Sequence, residues 1–442
     1  MIKVEVIIMK HIRTSKYDNE RFNIVNEKEA FPKLTMELKV DPKKTMQSII
    51  GFGGAFTESS AYNLLRISKE QRLKAIKDYF DPVDGLGYTI GRVSIHGCDF
   101  SLNSYLYIDD YDDSLNSFSI KRDQPVIDLI NDASAIRKQD IKILASPWTP
   151  PFWMKDNNSP IRGGKLLPKY DQIWADYFVK FIKAYEEKGI NVFSVTVQNE
   201  PMAAQRWDSC IFEADDEARF VKVLGKTFKQ HALKQNIYIW DHNRDQMLER
   251  TKAVLKDKEA YKYVYGTAFH WYDQEEFEEV KKTHDAFPEK HLIFTEGCQE
   301  NGPHLGEYAI GERYGRNIIN DLRNYNEGYI DWNLFLDDVG GPNHVNNLCS
   351  APIHIKVFNE EVYKNLSYYY IGHFSKYIMP NAIQIESKGD RDLYYIAFKN
   401  PDESYVVIIQ NEKEQDFKIN IKGLNKPLEV ISKAHSISTV II

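Results

Sequence analysis

The chain has 442 residues, and its 64 Asp and Glu outnumber 57 Lys and Arg, giving a formal net charge of −7. Hydrophobic residues at 43% and charged residues at 27% exclude a disordered chain, and the acidic excess argues against the clustered basic face of a nucleic-acid binder. No apolar run approaches the roughly 18 residues of a membrane-spanning helix. An aromatic share of 13%, including 7 Trp, suits stacking on a flat ligand face as well as filling a large core.

At the N-terminus the alternation in IKVEVII (2–8) reads as a strand. No small-residue cleavage site follows it, so the expected location is cytoplasmic. Cys98, Cys210, Cys298 and Cys349 lie far apart without a C-x-x-C, so reduced thiols are expected rather than a zinc ribbon or a disulfide framework. Eight apolar, strand-like runs follow, at 50–58, 88–96, 141–148, 192–200, 237–243, 263–272, 291–296 and 329–337. Between them lie stretches with helical spacing, such as 68–80, 171–187, 215–231 and 307–325, the first opened by the capping pair Ser68 and Gln71. Eight β-then-α units predict a closed parallel (β/α)8 TIM barrel over 47–378, in the α/β class, with an open doubly wound sheet as the competitor. From 379 to 442 short alternating runs separated by turn signals (KGDRD, NPDES, NEKEQ, GLNKP) predict an antiparallel β module. The strands before Gln47 have no helical partners, so 1–46 is expected to pair with that module and close its edge. The result is an attached β-sandwich built from both chain ends.

Polar residues gather at the C-terminal ends of the runs, the face of a barrel where chemistry is found. The fourth run ends in Asn199-Glu200-Pro201 and the seventh in Thr295-Glu296-Gly297. In an eight-membered ring these ends face each other, and two facing carboxylates are what glycoside hydrolysis needs. Proline after Glu200 is expected to hold that residue extended. Around the pair stand Asp99 after the second run, Trp148 after the third and His270-Trp271-Tyr272 after the sixth. Asp331-Trp332-Asn333 opens the eighth, with Asn346 and Asn347 beyond. Indoles beside carboxylates and amides complement a sugar's apolar face and hydroxyl edge. Trp153, Trp174 and Trp240 read as packing, and Gly51-Phe52-Gly53-Gly54 as close packing at the barrel entrance. No H-x-H follows the first run and no Lys sits late in any run, which disfavours a metal-dependent amidohydrolase and Schiff-base chemistry. No metal or cofactor is expected.

The segments GFGGAFTESSA, CDFSL, ASPWTPPFWMK, TVQNEP, QRWDSC, FHWY, TEG and DWNLFLDDVGGPNHVNN, in that order from Gly51 to Asn347, resemble glycoside hydrolase family 30, in particular its glucosylceramidase-like branch. The resemblance implies the same barrel and sandwich, and a retaining mechanism without metal. By position, Glu200 resembles the acid/base and Glu296 the nucleophile. Asp99, Trp148, Asn199, Trp332 and Asn347 fall on sugar-contacting positions, and His270 and Tyr272 on the pair near the nucleophile. The expected function is therefore an exo-acting β-glucosidase, whose partner is a small β-glycoside or an oligosaccharide. A β-xylosidase, a β-fucosidase, an endo-β-1,6-glucanase and a carbohydrate-binding barrel without catalysis stand as alternatives. The two carboxyl groups should lie roughly 5–5.5 Å apart. Glu200 is expected to have a raised pKa, from burial and from the charge of Glu296.

Overall fold

The computed structural model describes residues 9–25, 30–424 and 426–442, so the strand expected at 2–8 lies outside the described residues. Eight strands close into a barrel: β1 (Gly51–Ala55), β2 (Ile90–Ile95), β3 (Lys142–Pro147), β4 (Asn191–Thr196), β5 (Asn236–Asn243), β6 (Val264–His270), β7 (His291–Glu296) and β8 (Gly328–Asn333). Neighbours pair in parallel and β8 lies beside β1, so the closed ring replaces the open doubly wound alternative. Such strands are buried on both faces, which is why they read as near-continuous apolar runs. Helices alternate with them as the spacing predicts, at Lys69–Phe80, Asp171–Glu186, Ala214–Gln230 and Tyr308–Arg323. The first begins where its sequence says it should, with the Ser68 hydroxyl accepting the Gln71 backbone N–H at 3.5 Å. Close backbone approach explains Gly53, where a Cβ would stand 1.7 Å from the Ile90 carbonyl oxygen.

Two strand ends differ from expectation. The barrel part of the eighth run stops at Asn333, so Asp331, Trp332 and Asn333 end β8 rather than open it. Residues Phe335–Asp337 join Ile353–Lys356 and Glu361–Lys364 in a separate three-stranded sheet. The fourth strand stops at Thr196, four residues before Glu200, whose φ of 46° is left-handed and not extended. Tertiary hydrogen bonds override the pre-proline preference there: the Glu200 N–H donates to the Asp241 carbonyl at 3.0 Å, and its own carbonyl accepts from the Ala203 N–H at 2.9 Å.

The chain divides into two compact units. One holds Phe52–Leu305 and Gly328–Tyr363; the other holds the described residues up to Gly51 with Gly306–Glu327 and Lys364–Ile442. The second unit contains a nine-stranded sheet with the order Leu428–Ser432, Phe417–Lys422, Thr35–Ser48, Ile383–Gly389, Tyr394–Lys399, Tyr405–Asn411, Ser436–Ile441, Lys10–Ser15 and Asn23–Ile24. Leu38, Val40 and Ile419 share one apolar core with Val407, Ile409 and Val440, so the sheet folds over itself as a sandwich. Thr35–Ser48 is interior rather than an edge strand, and its pairing with Phe417–Lys422 is parallel, a departure from the wholly antiparallel module expected. The turn signals mark where strands end, but they do not reveal which strand inserts between two others.

Candidate active site

The C-terminal ends of β2 to β8 converge on a cavity of about 240 Å³. Its walls include Asp99, Trp148, Asn199, Glu200, Tyr272, Glu296, Trp332 and Asn347. Eight of the nine residues singled out from the sequence therefore line one pocket, and the ninth, His270, lies directly beneath, with its Nδ1 3.4 Å from Glu200 Oε1. Trp153, Trp174 and Trp240 are buried and do not line it. Strained backbone frames the site. His96, Glu200, Trp240 and Asp241 all have left-handed φ without being glycine, at a cost of about 1 kcal/mol or more each; His96 and Glu200 follow strand ends, and Trp240 and Asp241 sit at an irregularity within β5.

At the floor lies a charge network centred on Arg92, wholly buried in β2. Its guanidinium donates to Glu296 Oε2 at 2.5 Å, to Asn199 Oδ1 at 2.8 Å, to Asp241 Oδ2 at 2.8 Å and to Ser146 Oγ at 3.1 Å. The stacked rings of Trp148 and Trp332, 5.4 Å apart, cover it at 4.9 and 5.6 Å from their centroids. Asp241, equally buried, also accepts from Ser146, Thr196 and Thr295 and faces His270 Nε2 at 3.1 Å. Burial alone would push its pKa up, but the charge of Arg92, then His270 and Thr295, hold it well below the carboxylate range.

Neither Arg92 nor Asp241 was anticipated. The signal was present, since a charged residue inside a buried strand such as IGRVSI or NIYIWDHN must have a partner. What one strand could not show was which other strand supplies it.

Glu296 is thus gripped on one oxygen by Arg92, while the Tyr272 hydroxyl donates to the other at 3.0 Å. Its pKa is raised, first by burial and further by the charge of Glu200, against the opposing charges of His270 and Arg92. Glu200 goes the other way and corrects the expectation of a raised value. Burial, its largest influence, pushes it up, but the hydrogen bond with His270 and the charges of His242, His270 and Arg92 outweigh it and hold the pKa below 4.5. His270 carries the corresponding proton: burial opposes it, yet Glu296, Asp241 and Glu200 raise its pKa to about 9. The sequence did not show that an imidazole contacts Glu200, which explains the difference in sign. Farther up the wall, Asn347 Nδ2 donates to Asp99 Oδ2 at 2.9 Å, and burial with the nearby charge of Glu296 raises Asp99 to about 8.

One ligand atom each from Glu200, His270 and Glu296 lies within 4.8 Å of the others, a spacing a cation could bridge. A cation there would have to displace the His270 proton and compete with Arg92 for Glu296. The same distance brings the two glutamates close enough to act on opposite sides of one bond.

Residues 49–378 match the glycosyl hydrolase family 30 TIM-barrel domain, and 381–440 match that family's beta sandwich domain. The chain belongs to glycosyl hydrolase family 30. Among family-30 relatives, the lysosomal acid glucosylceramidase of Mus musculus is 33% identical over 426 residues, covering 91% of this chain and 82% of that protein. The crystal structure of SrfJ from Salmonella typhimurium superposes with a TM-score of 0.91 at 31% identity, covering 98% and 99% of the two chains. The endo-beta1,6-glucanase BT3312 gives 0.88 at 28% identity over the same shares. This family-30 protein is a glycoside hydrolase, and no helix among its described residues is long and apolar enough to cross a membrane.

Proposed function

We propose that the protein is an exo-acting, retaining β-glycosidase that prefers β-glucosides, with Glu296 as nucleophile and Glu200 as acid/base. The observation that carries this reading is the pairing of the two carboxylates within 4.8 Å in a pocket walled by Asp99 and Asn347 on one side and Trp148 and Trp332 on another. Glu296 Oε1, free of the Arg92 grip, attacks the anomeric carbon while Arg92 keeps the carboxylate charged. The leaving oxygen takes its proton from Glu200. In the resting site that proton is held by His270, so it passes from Nδ1 to Glu200 Oε1 across their 3.4 Å contact. Once the sugar is esterified to Glu296, the charge that most favours the His270 proton is gone. Glu200 then serves as base toward the incoming water, and β-configuration is retained.

Similarity to BT3312 and to fungal enzymes named endo-1,6-beta-D-glucanase supports a second reading, an endo-acting enzyme on β-1,6-glucan. The test is hydrolysis of aryl β-D-glucoside, β-D-xyloside, β-D-fucoside and β-D-galactoside beside a β-1,6-glucan, with Glu296→Gln as control. Turnover of an aryl monoglycoside, lost in the control, is expected. Release of oligosaccharides from the glucan with no monoglycoside turnover would establish the endo reading instead.

A further inference from the structure

Cys298 and Cys349, 51 positions apart in sequence, stand together in the wall of the catalytic pocket. A short antiparallel contact pairs Glu300 with Cys349, and the Ser350 N–H donates to the Gln299 carbonyl at 2.8 Å. That contact brings the two cysteines into one apolar cluster with Trp148 and Trp332. Both are unoxidised and both line the cavity that Glu200 and Glu296 line. The Tyr272 hydroxyl reaches Cys298 Sγ at 3.4 Å with one side and Glu296 with the other. In the same loop as the second thiol, Asn347 precedes Cys349 by two residues and holds Asp99.

We infer that Cys298 and Cys349 form a dithiol modification site, which a small-molecule disulfide entering the pocket oxidises to a protein disulfide, switching off hydrolysis. The inactivation part rests on the proposed function; the modification does not. The neighbouring Cys349 thiol and burial push the Cys298 pKa well above the ordinary thiol range, which disfavours Cys298 as the first nucleophile. Cys349 releases its proton to water and attacks one sulfur of RSSR; the S–S bond of the reagent breaks and RS⁻ leaves, taking a proton from water. Cys298 then releases its proton to water and attacks the Cys349 sulfur, expelling the second RS⁻. Two protein thiols are oxidised to one disulfide, and RSSR is reduced to two RSH. With the bridge already pairing their two segments, the thiols close to the bond length of about 2.05 Å by local movement of those side chains. The new bond draws Cys298 Sγ from the Tyr272 hydroxyl and tethers the segment that carries Asn347, so both the nucleophile's hydrogen bond and the Asp99 contact are disturbed.

The test is incubation of the purified full chain with hydroxyethyl disulfide, followed by intact and peptide mass spectrometry and by aryl glycoside turnover. Expected are a loss of two hydrogens in mass, a crosslinked peptide containing Cys298 and Cys349, and a roughly tenfold or larger fall in kcat/KM that dithiothreitol reverses. Cys349→Ser and Cys349→Val, each scored against its own untreated rate, should resist the fall and show no crosslink. Unchanged mass with both thiols still titratable would overturn the site, as would a Cys98 or Cys210 crosslink in its place. A formed Cys298–Cys349 bond with full activity would overturn the switch. Turnover by the untreated protein reads the proposed function separately, and mass reads the disulfide whatever the substrate.

Discussion

Asp241 touches no pocket space, yet it determines how charge is distributed around the two glutamates. It neutralises Arg92, which also grips Glu296, and it anchors His270, which holds the proton that the proposed mechanism passes to Glu200. The pH dependence follows from these contacts. As pH rises through about 9, His270 loses the shared proton and kcat/KM should fall with it, while the acid limb should reflect Glu296, which the proposed mechanism requires to be ionised. Asp241→Asn removes one of the charges supporting the His270 proton, so the alkaline limb should move down by about one unit. A pH–rate profile checks this, and an unmoved limb would show that another group titrates. The same variant leaves Arg92 with one fewer counter-charge in a buried site and should cost about 3 kcal/mol of stability, read by denaturant unfolding. His270 binds its proton more tightly folded than unfolded, so its own stabilising contribution is complete below pH 6.5 and is lost as pH rises through about 9. At this scale the pocket-lining residues were legible because they follow apolar runs. The residues beneath them, Arg92 and Asp241, were only half legible: a charge inside a buried strand calls for a partner, but one strand does not show which other strand supplies it.

Among elements, the strands were read to within a few residues wherever an apolar run ended in a turn residue, as at His291–Glu296. Errors gathered where hydrogen bonds from another strand decide the path. Glu200 follows no strand rule because Asp241 holds its backbone, and the eighth run divides because its last residues pair with Ile353–Lys356. The join of β1 to β2 rests on Gly53, whose missing side chain lets Ile90 approach. Gly53→Ala would place a methyl group against a backbone carbonyl that cannot rotate away. The expected result is a loss of about 3 kcal/mol or more and a markedly lower Tm by calorimetry. A melting curve like that of the unsubstituted protein would mean that the strands can separate without cost.

For the whole molecule, eight repeats of one pattern made the barrel legible, and closure of that ring brings residues from 99 to 347 to one mouth. The sandwich was legible as strands but not as an order, because alternation specifies a face and not a neighbour. Meeting of Cys298 with Cys349 was invisible for a related reason: they are joined by a bridge between loops, which has no periodicity to read. The central claim is that Glu296 bonds covalently to the sugar while the other carboxylates do not. Incubation with an activated 2-deoxy-2-fluoro-β-glucoside, which slows release of the trapped sugar, followed by peptide mass spectrometry, tests it most directly. The expected result is time-dependent inactivation with the label on the peptide containing Glu296, and none in Glu296→Gln. Label on Glu200 or Asp99, or turnover of the unfluorinated glucoside to product of inverted configuration, would contradict the account.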